Sequence, residues 1–474
     1  MKLRPPKNAF AWFYGFLILA CIALYVYTAM NRGYDDDEFE HIHTAWYMLN
    51  GYVPYKDFFQ HHNPLLWILL MPAIAILGER VRTIIACRLL MVVILTIQAY
   101  FAGKTAALLA DDDQKTQYQY LTMAILLSGR IVMQRGMEIR SDNLMVTLVV
   151  MSFYFLFAFL QKESHQSRSL LYIASVLLGL SFLALQKMAV FVPVFGSFFL
   201  YLLWKKRITP QTLLVSSGFA LLPIVGFVIY LAANQCVDVY WYTNVVLNAN
   251  QYGVVDSVSL WDTNGSPEIM EILTTCVVAV FCVGFFVFRK KRDPILTACA
   301  ANVLLNTAFG IVANCSYPQY FLPVFPFAAI LIVVFCQKHL LPPGIGQTVS
   351  AVSLCMLLLL VNIATMSFKT VATRPNRDLR RVDFVLSNTT KDDYVYDGMS
   401  NVNLFRKDVD YFWYALDFAV PIHNKLSGGS FDVEASILRH QPKFISDYML
   451  DTSSELFQQY EQTEYRHLYV RTAD

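Results

Sequence analysis

Of the 474 residues, 56% are apolar and only 15% are charged. The apolar residues come in runs of about twenty, the length that crosses a hydrocarbon core, so the chain is read as a polytopic α-helical membrane protein rather than a soluble one. A net charge of +2 gives no reason to expect nucleic acid or another polyanion as partner. The nine cysteines exclude a disulfide scaffold or structural zinc ribbon, because none lies beyond Cys355 and no C-x-x-C pair occurs.

The first apolar run, Phe10 to Met30, lacks a cleavage pattern and reads as a signal-anchor helix. "YDDDEFEHIH" (Tyr34–His43) follows it. From Glu38 on, Phe39, Ile42, Ala45, Trp46 and Leu49 recur at helical steps until Gly51 and Pro54. This predicts a short amphipathic helix lying on the membrane surface, with Trp46 at the interface. Asp35, Asp36 and Asp37 precede or open it. Helix capping accounts for one or two of these acids but not for four. Packed carboxylates repel one another, so the cluster points to a site that needs an ionised carboxylate, a metal, or both. Asp36, Asp37 and Glu38 are therefore the candidate catalytic residues. No cofactor is assigned, and a divalent metal near Asp36 and Asp37 stays open.

The loop continues as "GYVPYKDFFQHHNPLLW" and adds Tyr55, Asp57, His61 and His62 as candidate substrate or phosphate contacts. The two histidines are adjacent and lack the i, i+4 spacing of a helical metal site, so zinc is not predicted. "NPLLWILLMPAIAIL" (Asn63–Leu77) is apolar but only 15 residues long with two prolines, and is placed as an interfacial or re-entrant segment. Counting 10–30, 83–109, 117–134, 143–160, 169–186, 188–204, 211–233, 268–288, 294–313, 319–337 and 347–367 gives eleven spans. The basic clusters Lys2/Arg4/Lys7, Lys205–Arg207 and Arg289–Arg292 then all fall on the cytoplasmic side. The N-terminus is inside and the C-terminus outside. Residues 31–82 form the first outer loop, and 368–474 form a small extracytoplasmic α/β domain beyond a membrane domain of 1–367.

Further candidates reach the same outer side. "RGMEIRSDN" contributes Arg140 and Asp142 next to Arg130, Arg135 and Glu138. Lys187 sits between two spans, either snorkelling to the interface or awaiting a phosphate. "YPQYF" brings Gln319 and Tyr320 as substrate contacts. Outer-loop aromatics, among them Tyr52, Tyr240, Trp241, Tyr242, Trp261 and Tyr317, are read as rings that stack on a substrate or as interface anchors. Cys236 and Cys315 could share this face. The tail holds short apolar strands and a helix over 378–387 but no nucleophile motif, and reads as a cover over the site or a recognition element for the acceptor.

"DDDEFEHIHTAWYMLNGYVPYKDFFQHHNPLLW" (Asp35–Trp67) resembles the GT-C class of integral membrane glycosyltransferases. The similarity is to the bacterial branch of protein-mannosyltransferase-like and lipid A aminoarabinose-transferase-like enzymes. "IRSDNLM", "LALQKMAVFVPV" and "YPQYFLPVFPF" add weaker matches. The resemblance covers residues 1 to about 367. It implies a polyprenyl-phosphate-linked sugar donor, an inverting transfer at the outer face of a bacterial inner membrane, and a glycan, lipid or protein hydroxyl as acceptor. By position Asp37 is the catalytic carboxylate. Several relatives carry a lysine where this chain reads His61-His62-Asn63-Pro64, so the phosphate ligand is either His62 or Lys187 with Arg140. A flippase or a non-catalytic binder of lipid-linked sugars is the alternative; it would place ionisable residues along the middle of several spans, and most spans here lack them.

Overall fold

The computed structural model describes residues 7–162, 168–250, 267–287, 293–313, 317–337, 376–399, 401–429 and 431–472, with six more between 356 and 364. Lys2, Arg4, Arg289–Arg292, Trp261, Cys315 and most of the expected span at 347–367 lie outside them. Among the described residues, six helices are long and apolar enough to cross a membrane. They are helix α1 (Lys7–Asn31), α4 (Val81–Ala107), α7 (Ser141–Gln161), α10 (Pro210–Ala233), α13 (Pro294–Val312), and the stretch from a 3₁₀ turn at Gln186–Phe191 through α9 (Val192–Trp204). Shorter apolar helices are α3 (Leu65–Leu77), α8 (Arg168–Ala184) and α14 (Val324–Phe335), together with the stretch Leu273–Val287 of α12 (Pro267–Val287).

Several expected spans differ in detail. The run at 117–134 is two helices, α5 (Lys115–Leu127) and α6 (Arg130–Arg135), divided at Ser128 and Gly129. Ser128 turns its hydroxyl back onto the Ala124 carbonyl, and Gly129 takes an extended backbone that starts the next turn. The run at 319–337 begins as a 3₁₀ turn, Pro318–Phe321, because its two prolines remove helix donors. Helix α3 has 13 residues and is about 20 Å long, short of the ~30 Å core. It buries Leu66, Trp67, Leu70 and Ile74 and leaves Ile68 and Ile76 exposed. Helices α8 and α10 approach closely at Gly179, where a β-carbon would stand 2.1 Å from the Ala220 carbonyl oxygen.

Helix α2 (Asp36–Leu49) starts with a capping box: the Asp35 side chain takes the Asp37 N–H, and the Asp35 N–H donates to Glu38 Oε1 at 3.0 Å. The expected surface position of this helix is not what forms. Residues Glu38 through Tyr47 are all buried, and Trp46, 3% exposed, donates its indole N–H to Glu79 rather than anchoring in an interface. One side of α2 rests on α3 and the membrane helices. The other is covered by the chain from 402 to 414, where Asp408 accepts from His43 Nε2 at 2.9 Å and from Tyr47 at 2.8 Å. The Trp413 indole donates to the Phe59 carbonyl, and the Tyr411 hydroxyl to the Tyr55 carbonyl. The polar face of α2 was thus written for a protein partner 360 residues away, not for water.

That strap belongs to the C-terminal part of the chain. It contains α15 (Asn376–Ser387), α16 (Leu416–Ser427), α17 (Val433–His440) and a small mixed sheet of order β1-β2-β4-β3. The strands are β1 (Val395–Tyr396), β2 (Phe444–Ser446), β3 (Tyr460–Gln462) and β4 (Leu468–Arg471). Strand β1 pairs parallel to β2, and the other pairs are antiparallel. Between α10 and α12, α11 (Val237–Trp241) leads into a π-helical turn, Tyr242–Leu247, whose inner residues face the site.

One charged pair ties α2 to the bundle. Arg88 of α4 and Glu38 are both 0% exposed, joined by Nε to Oε2 at 2.7 Å and Nη2 to Oε1 at 2.5 Å. The remaining guanidinium donors take the carbonyls of Arg32 and Gly33, where α1 ends, and the plane covers the Tyr34 ring at 3.6 Å. Removing one partner strands a buried charge, so Arg88→Met is expected to cost about 3–5 kcal/mol. The double variant Arg88→Met/Glu38→Met should recover much of that loss, measured as thermal stability in detergent in a double-mutant cycle. A double-variant loss equal to the sum of the two single losses would mean that the pair is not coupled.

Candidate active site

The acidic ridge at the start of α2 meets the second charged cluster directly. Arg140, whose side chain is 6% exposed, spends all three guanidinium nitrogens on carboxylates. Nε donates to Glu138 at 2.8 Å, Nη2 to Asp35 at 2.5 Å, and Nη1 to Asp37. Glu138 is buried and also bound by Arg32 at 2.5 Å and Arg135 at 3.0 Å. Burial alone would raise its pKa, but Arg135, Arg32 and Arg140 together hold it down at about 2.

Above this cluster opens a cavity of about 720 Å³. Of the residues singled out from the sequence, Asp36, Asp37, His61, His62, Arg140 and Asp142 line it, and so do Lys187, Gln319 and Tyr320. Residues from positions 36 to 320 thus converge on one space. Three others do not reach it. Glu38 faces the bundle interior, clasped by Arg88 and by the Ile139 N–H at 3.2 Å, which makes it part of the scaffold. Tyr55 is fully buried and donates to the His62 carbonyl at 2.7 Å, bracing the loop from behind. Asp57 is exposed and closes a tight turn by accepting the Val53 N–H at 2.6 Å.

Other cavity residues were not anticipated as site residues: Asp35, Gln186, Asn244, Asn248, Tyr414 and Asp417 among them. Tyr414 matters most, because its hydroxyl donates to Asp37 Oδ1 while Arg140 holds Oδ2. It sits in "DYFWYAL", an aromatic run with no spacing that marks one ring among several. Of the outer-loop aromatics, Tyr317 and Tyr320 line the cavity. Tyr240 is engaged by Asn63 and Tyr242 by His423, and Trp241 is exposed. Cys236 is a buried free thiol.

The electrostatics divide the carboxylates. Burial pushes Asp37 up, but Arg140 and the Tyr414 hydrogen bond outweigh it and hold the group well below the usual carboxylate range. Burial first and Asp35 second lift Asp36 to about 7. Asp35 rises to about 6, burial prevailing over Arg140. Asp37 is therefore the ionised carboxylate of the ridge. Burial lowers His61 to about 3 and His62 to about 4, so both are neutral near pH 7 and serve as hydrogen-bonding groups rather than cations. Lys187 lies 3.4 Å from Asp142 Oδ1 and 3.6 Å from the centre of the Tyr320 ring. It is less heavily committed than Arg140.

Among the described residues, the three groups placed closely enough to share a metal are Glu40, His41 and His62, rather than Asp36 and Asp37. They do not fit an ion as they stand. The Trp67 indole, which only donates, gives its hydrogen to His41 Nδ1 at 3.0 Å, so the neutral ring carries its own proton on Nε2. Burial, aided by the charge of Asp37, lifts Glu40 to about 8 against the pull of His61, which leaves it protonated at neutral pH.

No family model and no curated protein matches this sequence. Solved structures do match in fold. ArnT from Cupriavidus metallidurans, in a structure bound to undecaprenyl phosphate, superposes with a TM-score of 0.72 at 11% identity, covering 98% of this chain and 99% of that one. Its apo structure gives 0.65 at 10% identity, over 92% and 93%. The oligosaccharyltransferase AglB from Archaeoglobus fulgidus, in complex with an inhibitory peptide and a dolichol-phosphate, gives 0.53 at 12% identity, over 92% of this chain and 69% of that one. The chain therefore has the GT-C-like fold that these membrane proteins share.

Proposed function

We propose that this protein is a membrane glycosyltransferase that moves a sugar from a polyprenyl-phosphate donor to a hydroxyl acceptor at the outer face of the membrane, with inversion at the anomeric carbon. The observation that carries this reading is Asp37, kept ionised by Arg140 and Tyr414 on the wall of a cavity that Lys187 also lines. The fold is consistent with it: ArnT binds undecaprenyl phosphate and AglB a dolichol-phosphate in their structures.

In this reading the acceptor hydroxyl approaches the anomeric carbon from the side facing Asp37. The new oxygen–carbon bond forms as the carbon–oxygen bond to phosphate breaks, and the bonding pair leaves on the phosphate oxygen. Positive charge builds on the acceptor oxygen as its bond forms, and its proton passes to Asp37. A carboxylate with a depressed pKa suffices as base, because the attacking oxygen becomes far more acidic than a free hydroxyl. The leaving phosphate is already a weak base and needs a cation rather than a general acid. Lys187 supplies it. Arg140 is saturated by three carboxylates, and its part is to orient Asp37 and keep it charged. Asp36 and Glu38, taken from the sequence as catalytic partners of Asp37, are assigned other tasks here: Asp36 tunes the charge of the cavity, and Glu38 holds α2 in place.

Three outcomes test this reading. Asp37→Asn should leave folding intact and lower transfer on the order of 10²–10⁴-fold, measured as release of free polyprenyl phosphate from sugar-loaded donor. Movement of intact donor between leaflets without such release would identify a transporter instead. Lys187→Met should weaken binding of undecaprenyl phosphate by tenfold or more and also lower kcat, because the negative charge on the leaving phosphate grows as the carbon–oxygen bond breaks; unchanged binding moves the phosphate elsewhere.

The third outcome concerns pH. Asp36, raised to about 7, is protonated more readily in the folded protein than in the unfolded chain, so its contribution to stability improves as pH falls through 7. The same protonation removes a negative charge from the donor's path. Donor KM should fall between pH 8 and pH 6 while kcat holds, since Asp37 stays ionised. In Asp36→Asn the KM should be low and flat between pH 8 and pH 7, above the range in which Asp35 takes up its proton. A persistent slope would assign the titration to another group.

A further inference from the structure

The wall beside Lys187 carries polar atoms that the proposed chemistry leaves unused. The His61 carbonyl accepts two side-chain amides, Gln186 Nε2 at 3.4 Å and Asn248 Nδ2 at 3.2 Å. A carbonyl oxygen only accepts, so the nitrogen of each amide must face it, and the orientation of both amides is set. Asn248 Nδ2 also reaches the Asn244 carbonyl at 3.0 Å, and Asn244 Nδ2 donates to Thr243 at 3.1 Å. These contacts join the His61 loop, the turn before α9 and the π-helical turn into one surface. They leave the Gln186 Oε1 and Asn244 Oδ1 oxygens buried with no hydrogen-bond donor among the described residues, and both residues line the cavity. Asn244 is 5% exposed.

A buried amide oxygen without a donor has lost its water and gained nothing in return. A ligand can repair that only by presenting O–H or N–H groups. A phosphate diester and a carboxylate present acceptors alone and would add repulsion. A sugar ring carries several hydroxyls. Gln186 is also the chain neighbour of Lys187, so a group attached to a phosphate on Lys187 falls within reach of this wall. The Phe418 ring, packed edge-on against His61 at 5.6 Å, adds an apolar surface for the ring's C–H face.

We propose that Gln186 and Asn244, braced by Asn248 and the His61 carbonyl, form the subsite that reads the hydroxyls of the donor's sugar, and that it selects a neutral ring over one bearing a carboxylate. This rests on the reading of the cavity as a polyprenyl-phosphate-sugar site. Each residue holds the substrate through an oxygen acceptor and takes no part in bond making.

The test compares three probes on the full-length protein in lipid nanodiscs: undecaprenyl phosphate alone, the same lipid carrying one neutral hexose, and the same lipid carrying one hexuronate. The variants are Gln186→Met, a half-buried position that keeps its shape, and Asn244→Leu. Bare undecaprenyl phosphate should bind wild type and both variants alike, which also reports that the variants are folded. The hexose-bearing lipid should bind each variant about tenfold more weakly than wild type, the effect of one lost hydrogen bond in a closed site. Wild type should favour hexose over hexuronate, and Gln186→Met should narrow that preference. Unchanged hexose binding in both variants overturns the assignment. So does an equal loss of bare and hexose-bearing lipid, which would put these residues in the phosphate site or the scaffold. If wild type binds none of the three lipids, it is the donor reading itself that fails.

Discussion

A carboxylate taken out of water must either find a cation or accept a proton, and α2 begins with enough carboxylates to make that rule govern its surroundings. Arg88 satisfies it from α4, and Arg140 from the residue just before α7. Arg88 holds Glu38 inside the bundle and closes the carbonyl end of α1 with the same guanidinium. Arg140 holds Asp35 and Asp37 at the cavity wall. The pairing fixes the start of α2 relative to α1, α4 and α7, and so fixes where the ionised Asp37 stands. Asp36, lifted by burial and by Asp35, is pushed up to about 7.

The same rule explains the position of the C-terminal strap. His43 and Tyr47 on the outer side of α2 need partners once they are covered, and Asp408 provides one acceptor for both. The strap then continues to Tyr414, whose hydroxyl completes the surroundings of Asp37. A segment that covers the site also supplies part of its chemistry. Asp408, which holds the strap on α2, and Tyr414, which meets Asp37, are six residues apart in the chain, so a change in how the strap sits on α2 bears directly on the charge state of Asp37.

Much was legible in the sequence. The membrane class, the short α3 segment and the convergence of Asp37, Arg140, Asp142, Lys187 and Tyr320 follow from features that one-dimensional patterns carry: apolar run length, prolines, and charges placed where lipid makes them costly. Asp35–Glu38 was visible as a cluster because four acids in a row have no cheap structural use.

What the sequence determined by itself was which residues are expensive to place; what only the tertiary structure decided was how each expense is met. Asp37 and Glu38 are neighbours with the same chemistry, yet consecutive helical positions point about 100° apart. One therefore faces a cavity and the other a buried arginine 50 residues away. Trp46 reads as an interface anchor until the strap from 402 to 414 covers the helix that bears it. Tyr414 acquires its role only because folding brings it to a carboxylate 377 residues distant. Local spacing records the face a residue shows, and the partner that meets that face is set by packing between segments far apart in the chain.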